Sequence, residues 1–497
     1  MAGERTRDRI VPFPSKLAFG VGQAAEGLKN TGFALFVLFY YNQVLGLPGS
    51  LAGLALAIAL IFDAVTDPLA GSLSDNWKSR LGRRHPFMYA SAIPLALAFV
   101  GLFSPPQELG EWGLFLWLSL FAILTRAAMT LYHVPHLALG AEMTENFEER
   151  TRIVAFRQFF AAVGSAGAMI LGFGWFFADA NGGRLAVENY TPYALTLAVF
   201  MVVTVIYSAY GTRREIPFLM DPPAKPKRNP FTQLALDLRE GLTNRSFRWL
   251  FAGVLIVFVM AGVNSALDLY MYQYFWELSG GHMLVLSLTT VVGLVLGVFL
   301  TPTLLRLTDK RFGLILGTAA WAVFQVAPVM LRLVGWFPDN GEGALLAALI
   351  GAKFVQGLIL QQAFIAFGSM MADVADEHEL ESGLRQEGIF FGAISFSGKA
   401  TSGFGTLIAG IGLDIIRWPR GADIQTAADV PAETIVSLGV LYGPVVAAFA
   451  VVSLWCYSHY NLSRTRHAEV LDALNEVRAE RAEAATDGSE VSTATRG

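Results

Sequence analysis

Apolar runs long enough to cross a bilayer recur about twelve times along the chain, each near the 20 residues that a spanning helix needs. They lie at 17–45, 51–74, 86–105, 113–140, 152–178 and 191–212, and again at 247–278, 283–306, 313–335, 345–372, 386–415 and 434–460. Between the two sets runs a polar linker with Arg213, Arg214, Lys225, Lys227 and Arg228 among Pro222, Pro223, Pro226 and Pro230. The expected fold is an all-α membrane protein of two six-helix bundles, 1–212 and 247–462. The linker, 213–246, joins them. A charged tail, 463–497, follows and ends in Ser/Thr/Gly-rich sequence expected to be disordered.

Composition agrees. Only 15% of residues are charged and 54% are hydrophobic, with a mean hydropathy of +0.49; a soluble domain carries roughly 25% charged residues. A formal net charge of -4 leaves no concentrated basic surface for nucleic acid. The one cysteine, Cys456, makes neither an internal disulfide nor a zinc site. No small-residue cleavage site follows the first apolar run, so it reads as a retained span.

Basic residues in short loops set orientation. Arg5, Arg7 and Arg9 precede the first span, Lys78, Arg80, Arg83 and Arg84 follow the second, and Arg306, Lys310 and Arg311 follow the eighth. The alternate loops carry Glu108, Glu111 and Glu277 instead, with Arg417 and Arg420 as a mild exception. Both termini are therefore expected in the cytoplasm, with the chain in the inner cell membrane.

Ionisable groups inside a span are costly and mark function by default. The second span reads Ile61-Phe62-Asp63-Ala64-Val65-Thr66-Asp67-Pro68. Asp63 and Asp67 are four apart, so their carboxylates share a face. Such a pair makes sense if a cation sits between the acids or if one carries a proton. Na+ would suit those oxygens, with hydroxyls from Thr66 and Thr130. The plain alternative is two aspartates bonded to helix ends or to a basic residue. Lys399, mid-span in the eleventh run, is the candidate counter-charge, unless it snorkels to an interface.

Other spans add polar groups. The first holds Glu26, Lys29 and Asn30, where a Glu26–Lys29 pair is the plain reading. The fourth holds Arg126, Thr130, His133 and His136. His133 reads as a substrate contact, a proton carrier or a donor to a backbone carbonyl. Arg157 and Gln158 open the fifth, where a fork of donors suits hydroxyls or a carboxylate. The seventh carries Asn264, Asp268, Tyr272 and Trp276 at four-residue spacing, with Trp276 reading as an interface residue. Lys353, Gln356, Gln361 and Gln362 lie in the tenth. The expectation is a water-filled cavity, with Glu26, Asn30, His133, Arg157, Gln158, Asp268, Tyr272 and Lys399 as substrate contacts. At the cytoplasmic face, Asp75, Arg83, Arg84, Arg150, Asp373, Asp376 and Arg385 are candidates for charge pairs that hold the cavity shut. Exposed pairs of this kind are weak enough to open. A solvated helical loop is the plain alternative.

Gly71-Ser72-Leu73-Ser74-Asp75, followed by Ser79-Arg80-Leu81-Gly82-Arg83-Arg84-His85-Pro86, resembles the major facilitator signature with a lengthened spacing. Three further elements join it: the D-x-x-x-D-P at Asp63–Pro68, the run from Tyr40 to Leu47, and the stretch from Ala372 through Gly383-Leu384-Arg385-Gln386-Glu387-Gly388 to Lys399. With them the chain resembles the glycoside–pentoside–hexuronide:cation symporters over nearly its whole length. The resemblance implies the major facilitator fold, whose halves are structural repeats, and symport by alternating access. Between these halves no strong residue-level similarity is visible. The resemblance puts the coupling Na+, Li+ or H+ on Asp63 and Asp67, with Thr130 as the matching hydroxyl. Thr66 stands where the family's best-studied member has asparagine, which moves the expectation toward H+. That member's sugar contacts fall here on Gly27, His133 and Gln158, so its specificity is not carried over. A sugar or glycoside is expected, and His133, Arg157 and Lys399 point to a uronic acid or another anionic sugar.

No cofactor is implied. The expected partners are a small-molecule substrate and the bilayer, with the chain as a monomer. Metalloprotease, nucleotide-loop and nucleophile-elbow motifs are absent, so no enzyme is expected. Two alternatives remain open. One is a lysolipid cargo, which the aromatic first span (Phe33, Phe36, Phe39, Tyr40, Tyr41) admits. The other is a non-transporting sensor, against which the intramembrane acids argue.

Overall fold

The computed structural model describes residues 10–144, 146–219, 242–307, 309–382, 398–399, 401–421 and 423–476. Arg5, Arg7, Arg9, most of the linker, Arg385 with the start of the eleventh run, and the end of the tail lie outside the described residues.

The first helix, α1 (Phe13–Thr31), runs on through π-helical segments at Gly32–Val37 and Tyr40–Val44. The first set is completed by α2 (Gly49–Asn76), α3 (His85–Leu102), α4 (Glu111–Glu142), α5 (Phe147–Leu171) and α6 (Tyr190–Thr212). The second comprises α7 (Arg245–Tyr270), α8 (Gly280–Leu307), α9 (Lys310–Leu333), α10 (Gly343–Ser382), α11 (Thr406–Ile415) and α12 (Ala432–Val440 with Val446–Ser458). There is no strand among the described residues. Among the described residues, ten helices are long and apolar enough to cross a membrane. Starts are locally encoded: the side chains of Asn146, Asn244 and Asp309 cap α5, α7 and α9 by accepting backbone N–H groups at 3.0, 2.7 and 2.9 Å, as short polar caps do.

Packing repeats after six helices. In the first set α1 packs on α5 and α6, α2 on α4, and α3 on α4 and α6. In the second, α7 packs on α11 and α12, α8 on α10, and α9 on α10 and α12. This is the two-bundle architecture expected of the major facilitator fold. The repeat also survives in two helix ends. Leu45 N–H bonds to Tyr40 O at 2.9 Å and Leu47 N–H to Tyr41 O at 2.8 Å, around left-handed Gly46 (φ 78). After α7, Trp276 and Leu278 bond to Met271 and Tyr272 at the same two distances, around left-handed Glu277 (φ 50). Glycine adopts this conformation freely whereas glutamate does not, and Asn340 donates to the Glu277 carboxylate at 2.8 Å.

The halves meet through α2 against α11, α5 against α8, and the segment after α1 against α7. At the α2–α11 crossing Gly49 faces Gly410 so closely that a Cβ on Gly49 would lie 3.1 Å from the Gly410 Cα. Small residues of this kind let helices approach where lipid supplies no hydrophobic drive.

Candidate functional site

A cavity of about 430 Å³ lies between α1, α2, α4 and the residues preceding α11. A rise of about 1.5 Å per residue puts Asp63 about 20 Å from the start of α2, deep in the bilayer. Glu26, Lys29, Asn30 and Phe33 line it from α1, Asp63 and Asp67 from α2, Arg126, Thr130 and His133 from α4, and Lys399 from the far half.

The two aspartates do share a face, and their surroundings are charged. Thr130 Oγ1 lies 2.8 Å from Asp63 Oδ1 and 2.9 Å from Asp67 Oδ1. Lys399 Nζ lies 3.1 Å from Asp63 Oδ2 and in direct contact with Asp67 Oδ2. Arg126 donates to Asp63 at 3.2 Å. The lysine ammonium thus sits between the carboxylates, in the place a coupling cation would take. Two carboxylates and a hydroxyl form a hard oxygen set suited to Na+ or a proton. Thr66 is not part of it: its hydroxyl donates to the Asp63 backbone carbonyl at 3.3 Å.

The candidate substrate contacts separate into groups. Glu26 accepts from Gln23, and its carboxylate lies 3.5 Å from His133 Nδ1, an electrostatic contact rather than a hydrogen bond. Asn30 is exposed to the cavity. Arg157 and Gln158 lie outside the lining, and the Arg157 Nε is buried without a hydrogen-bond partner. Asp268 and Tyr272 belong to a separate network in the second half. There Asp268 accepts from Lys353 at 3.1 Å and from Tyr442 at 2.5 Å, while Lys353 stands over the Tyr272 ring at 5.6 Å. Trp276 is buried at 2% exposure rather than interfacial. His136 stacks on Phe19 and contacts its carbonyl at 2.9 Å, a core histidine.

Among the described residues, the contacts seen for the cytoplasmic-gate candidates include pairs within their own halves, and Arg385 lies outside the described residues. Arg84 bonds Asp75 at 2.5 Å and Glu142 at 2.7 Å, Arg83 bonds Glu142 at 3.0 Å, and Arg150 reaches the Thr144 carbonyl at 3.3 Å. Asp373 pairs with Lys310 at 2.7 Å, and Asp376 contacts His467 at 3.2 Å. Apart from Lys399, the polar contacts that join the halves among the described residues lie at the opposite end, on groups sequence reasoning missed. Asp414 accepts from the backbone N–H of Gly49 at 3.0 Å and of Ser50 at 2.8 Å. Tyr270 donates to Asn42 at 2.8 Å, Trp418 to Gln43 at 2.7 Å, and Arg184 to Gln273 at 2.8 Å. A lone acid after the apolar stretch before Asp414 was the available signal.

Residues 18–464 match the family model described as MFS/sugar transport protein. The chain belongs to this family. That bears out the resemblance carried by the second-span motifs. Among curated relatives of this transporter is the putative glycoside/cation symporter YagG of Escherichia coli (strain K12), 24% identical over 95% of this chain and 97% of the relative. Another is the isoprimeverose transporter of Lactiplantibacillus pentosus, 22% identical over 81% and 80%. Among solved structures, the inward-open xylose transporter XylE from E. coli superposes with a TM-score of 0.61 at 12% identity, covering 92% of this chain and 98% of that one. This last likeness shows the fold. The protein is an integral, multi-pass membrane transporter.

Proposed function

We propose that the protein is a cation-coupled symporter of a sugar or glycoside that works by alternating access. One observation carries the reading: two carboxylates and a hydroxyl deep in the bilayer, bridged by a lysine ammonium from the opposite half. A coupling cation that binds Asp63 and Asp67 displaces Lys399 and so changes a contact between the bundles. Ion and substrate then favour the same conformations, and their affinities are reciprocally linked. The names of the two curated relatives support a glycoside and a cation. With no amide carbonyl at position 66, a proton is the favoured coupling ion and Na+ the runner-up.

In this reading the bundles 1–212 and 247–462 rock as units of a monomer, with both termini in the cytoplasm of the inner membrane. The Asp414 end faces outward and is closed, so the conformation is the inward-facing one. Arg83, Arg84 and Arg150 would meet Asp373 and Asp376, and Asp75 would meet Arg385, when the inside closes. The test is thermal stability of the purified protein with neutral sugars and uronic acids, each with and without Na+ at two pH values. A ligand at a hundredfold its dissociation constant stabilises by about 2.7 kcal/mol. The expected result is stabilisation by a sugar that depends on Na+ or pH, with that dependence abolished in Asp67→Asn. Stabilisation indifferent to ion and pH contradicts the reading.

A further inference from the structure

We infer that Arg126 denies the cation site to Na+ and Li+: its guanidinium is a fixed counter-charge on Asp63, and Asp67 is the one carboxylate of the pair left to exchange its partner. This rests on the symport reading above and names the residue that selects its ion.

The two aspartates are not equivalent. Asp63 is engaged on both oxygens: Oδ1 accepts from Thr130 at 2.8 Å, and Oδ2 meets Arg126 at 3.2 Å and Lys399 at 3.1 Å. Arg126 belongs to α4, which packs on α2 within the first half. It therefore stays on Asp63 when Lys399 moves away with the second half. Asp67 has no such companion, and its contacts among the described residues are Thr130 and Lys399. The Asp63 side chain is 7% exposed and that of Asp67 28%, so Asp67 is the one turned to the cavity.

An arginine is a poor neighbour for an alkali cation. Its guanidinium keeps its proton in a protein, so the charge cannot be shed to make room. The Arg126 side chain is buried and lies over the Phe33 ring at 5.6 Å, which holds the guanidinium in place. Na+ bridging the carboxylates would share Asp63 with that charge in a site largely shut off from water, where like charges repel far more than in bulk water. It would also find Asp63 Oδ2 already engaged. The cavity has no surplus acid to offset this, because Glu26, Asp63 and Asp67 line it against Lys29, Arg126 and Lys399. Once Lys399 leaves, acids exceed bases by one, and the excess lies on Asp67. The site thus has the charge for one monovalent cation but not the undivided carboxylate pair that an alkali ion needs.

The test titrates Na+ and Li+ against the thermal stability of the full chain in nanodiscs, with choline chloride holding ionic strength constant, at two pH values. Wild type and Arg126→Lys, which keeps the charge, are expected to respond to neither ion beyond the choline control. Arg126→Gln removes the charge and adds an amide carbonyl. It should gain saturable stabilisation by Na+, at least about tenfold tighter than any wild-type response. Arg126→Ser stands in if the glutamine variant does not fold. The inference is overturned if Na+ or Li+ stabilises wild type or Arg126→Lys saturably, or if a folded neutral variant stays indifferent to both ions. Wild-type stabilisation by Na+ removes this inference and leaves the symport reading standing. A wild type indifferent to Na+, Li+ and pH alike takes the symport reading down and this inference with it.

Discussion

Thr130 stands between two carboxylates at 2.8 and 2.9 Å, yet a hydroxyl has one proton to donate. One of the two contacts is therefore unprotonated at any moment unless an aspartate carries a proton or a cation lies between them. Thr130→Val should lower cation affinity about tenfold, read as a shift in the Na+ or pH midpoint of thermal stability; an unmoved midpoint removes Thr130 from the site. The acids and Lys399 were legible in the sequence because a charge at bilayer depth stands out against its neighbours, and Thr130 as the hydroxyl that the resemblance set beside the acids. Glu26 and Lys29 were legible as ionisable groups but not as partners. Their spacing predicts an ion pair, whereas the carboxylate turns to Gln23 and His133. Thr66 was misplaced for a similar reason: spacing locates a residue on a helix, and only the rotamer decides whether its hydroxyl meets a carboxylate or the carbonyl a turn away.

Between elements, the contact that most needs to break is the one at the start of α2. Pro48 precedes that helix and offers no side-chain cap, so the Asp414 carboxylate of α11 supplies one from the other half. An acid at a helix N-terminus is worth roughly 0.3–2 kcal/mol. Asp414→Asn should loosen the whole seal, giving faster hydrogen exchange in Met271–Phe275 as well as in the first turn of α2. Faster exchange confined to α2 would make Asp414 a local cap and no latch. Most spans were readable from hydropathy to within a few residues, though α10 runs on to Ser382, past the expected end at 372, and the start of the eleventh run lies outside the described residues. The π-helical segments at the ends of α1, α5 (Gly172–Phe176) and α7 (Met271–Phe275) were not readable, since nothing in apolar composition distinguishes an i→i−5 bond from an i→i−4 one. The Asp268–Lys353–Tyr442 network was hidden because it joins α7, α10 and α12, and which faces meet is decided by packing.

At the scale of the molecule, span count and linker position announced two halves, while residue identities announced no repeat. The repeat persists in helix contacts and in paired helix ends, where one half uses Gly46 and the other holds Glu277 in the same left-handed conformation. The two halves share backbone geometry where their side chains differ, which is why sequence comparison of the halves shows so little. The central claim is that ion occupancy of the Asp63–Asp67 site drives sugar accumulation by freeing Lys399 from the opposite bundle. The measurement that tests it most directly is uptake of labelled xylose, glucose and glucuronate by proteoliposomes under an imposed proton or Na+ gradient, in wild type and Asp67→Asn. The account expects wild type to concentrate one of these sugars above equilibrium, and Asp67→Asn to equilibrate it without concentrating it. Accumulation by Asp67→Asn equal to wild type, or wild-type uptake indifferent to both gradients, would contradict the account.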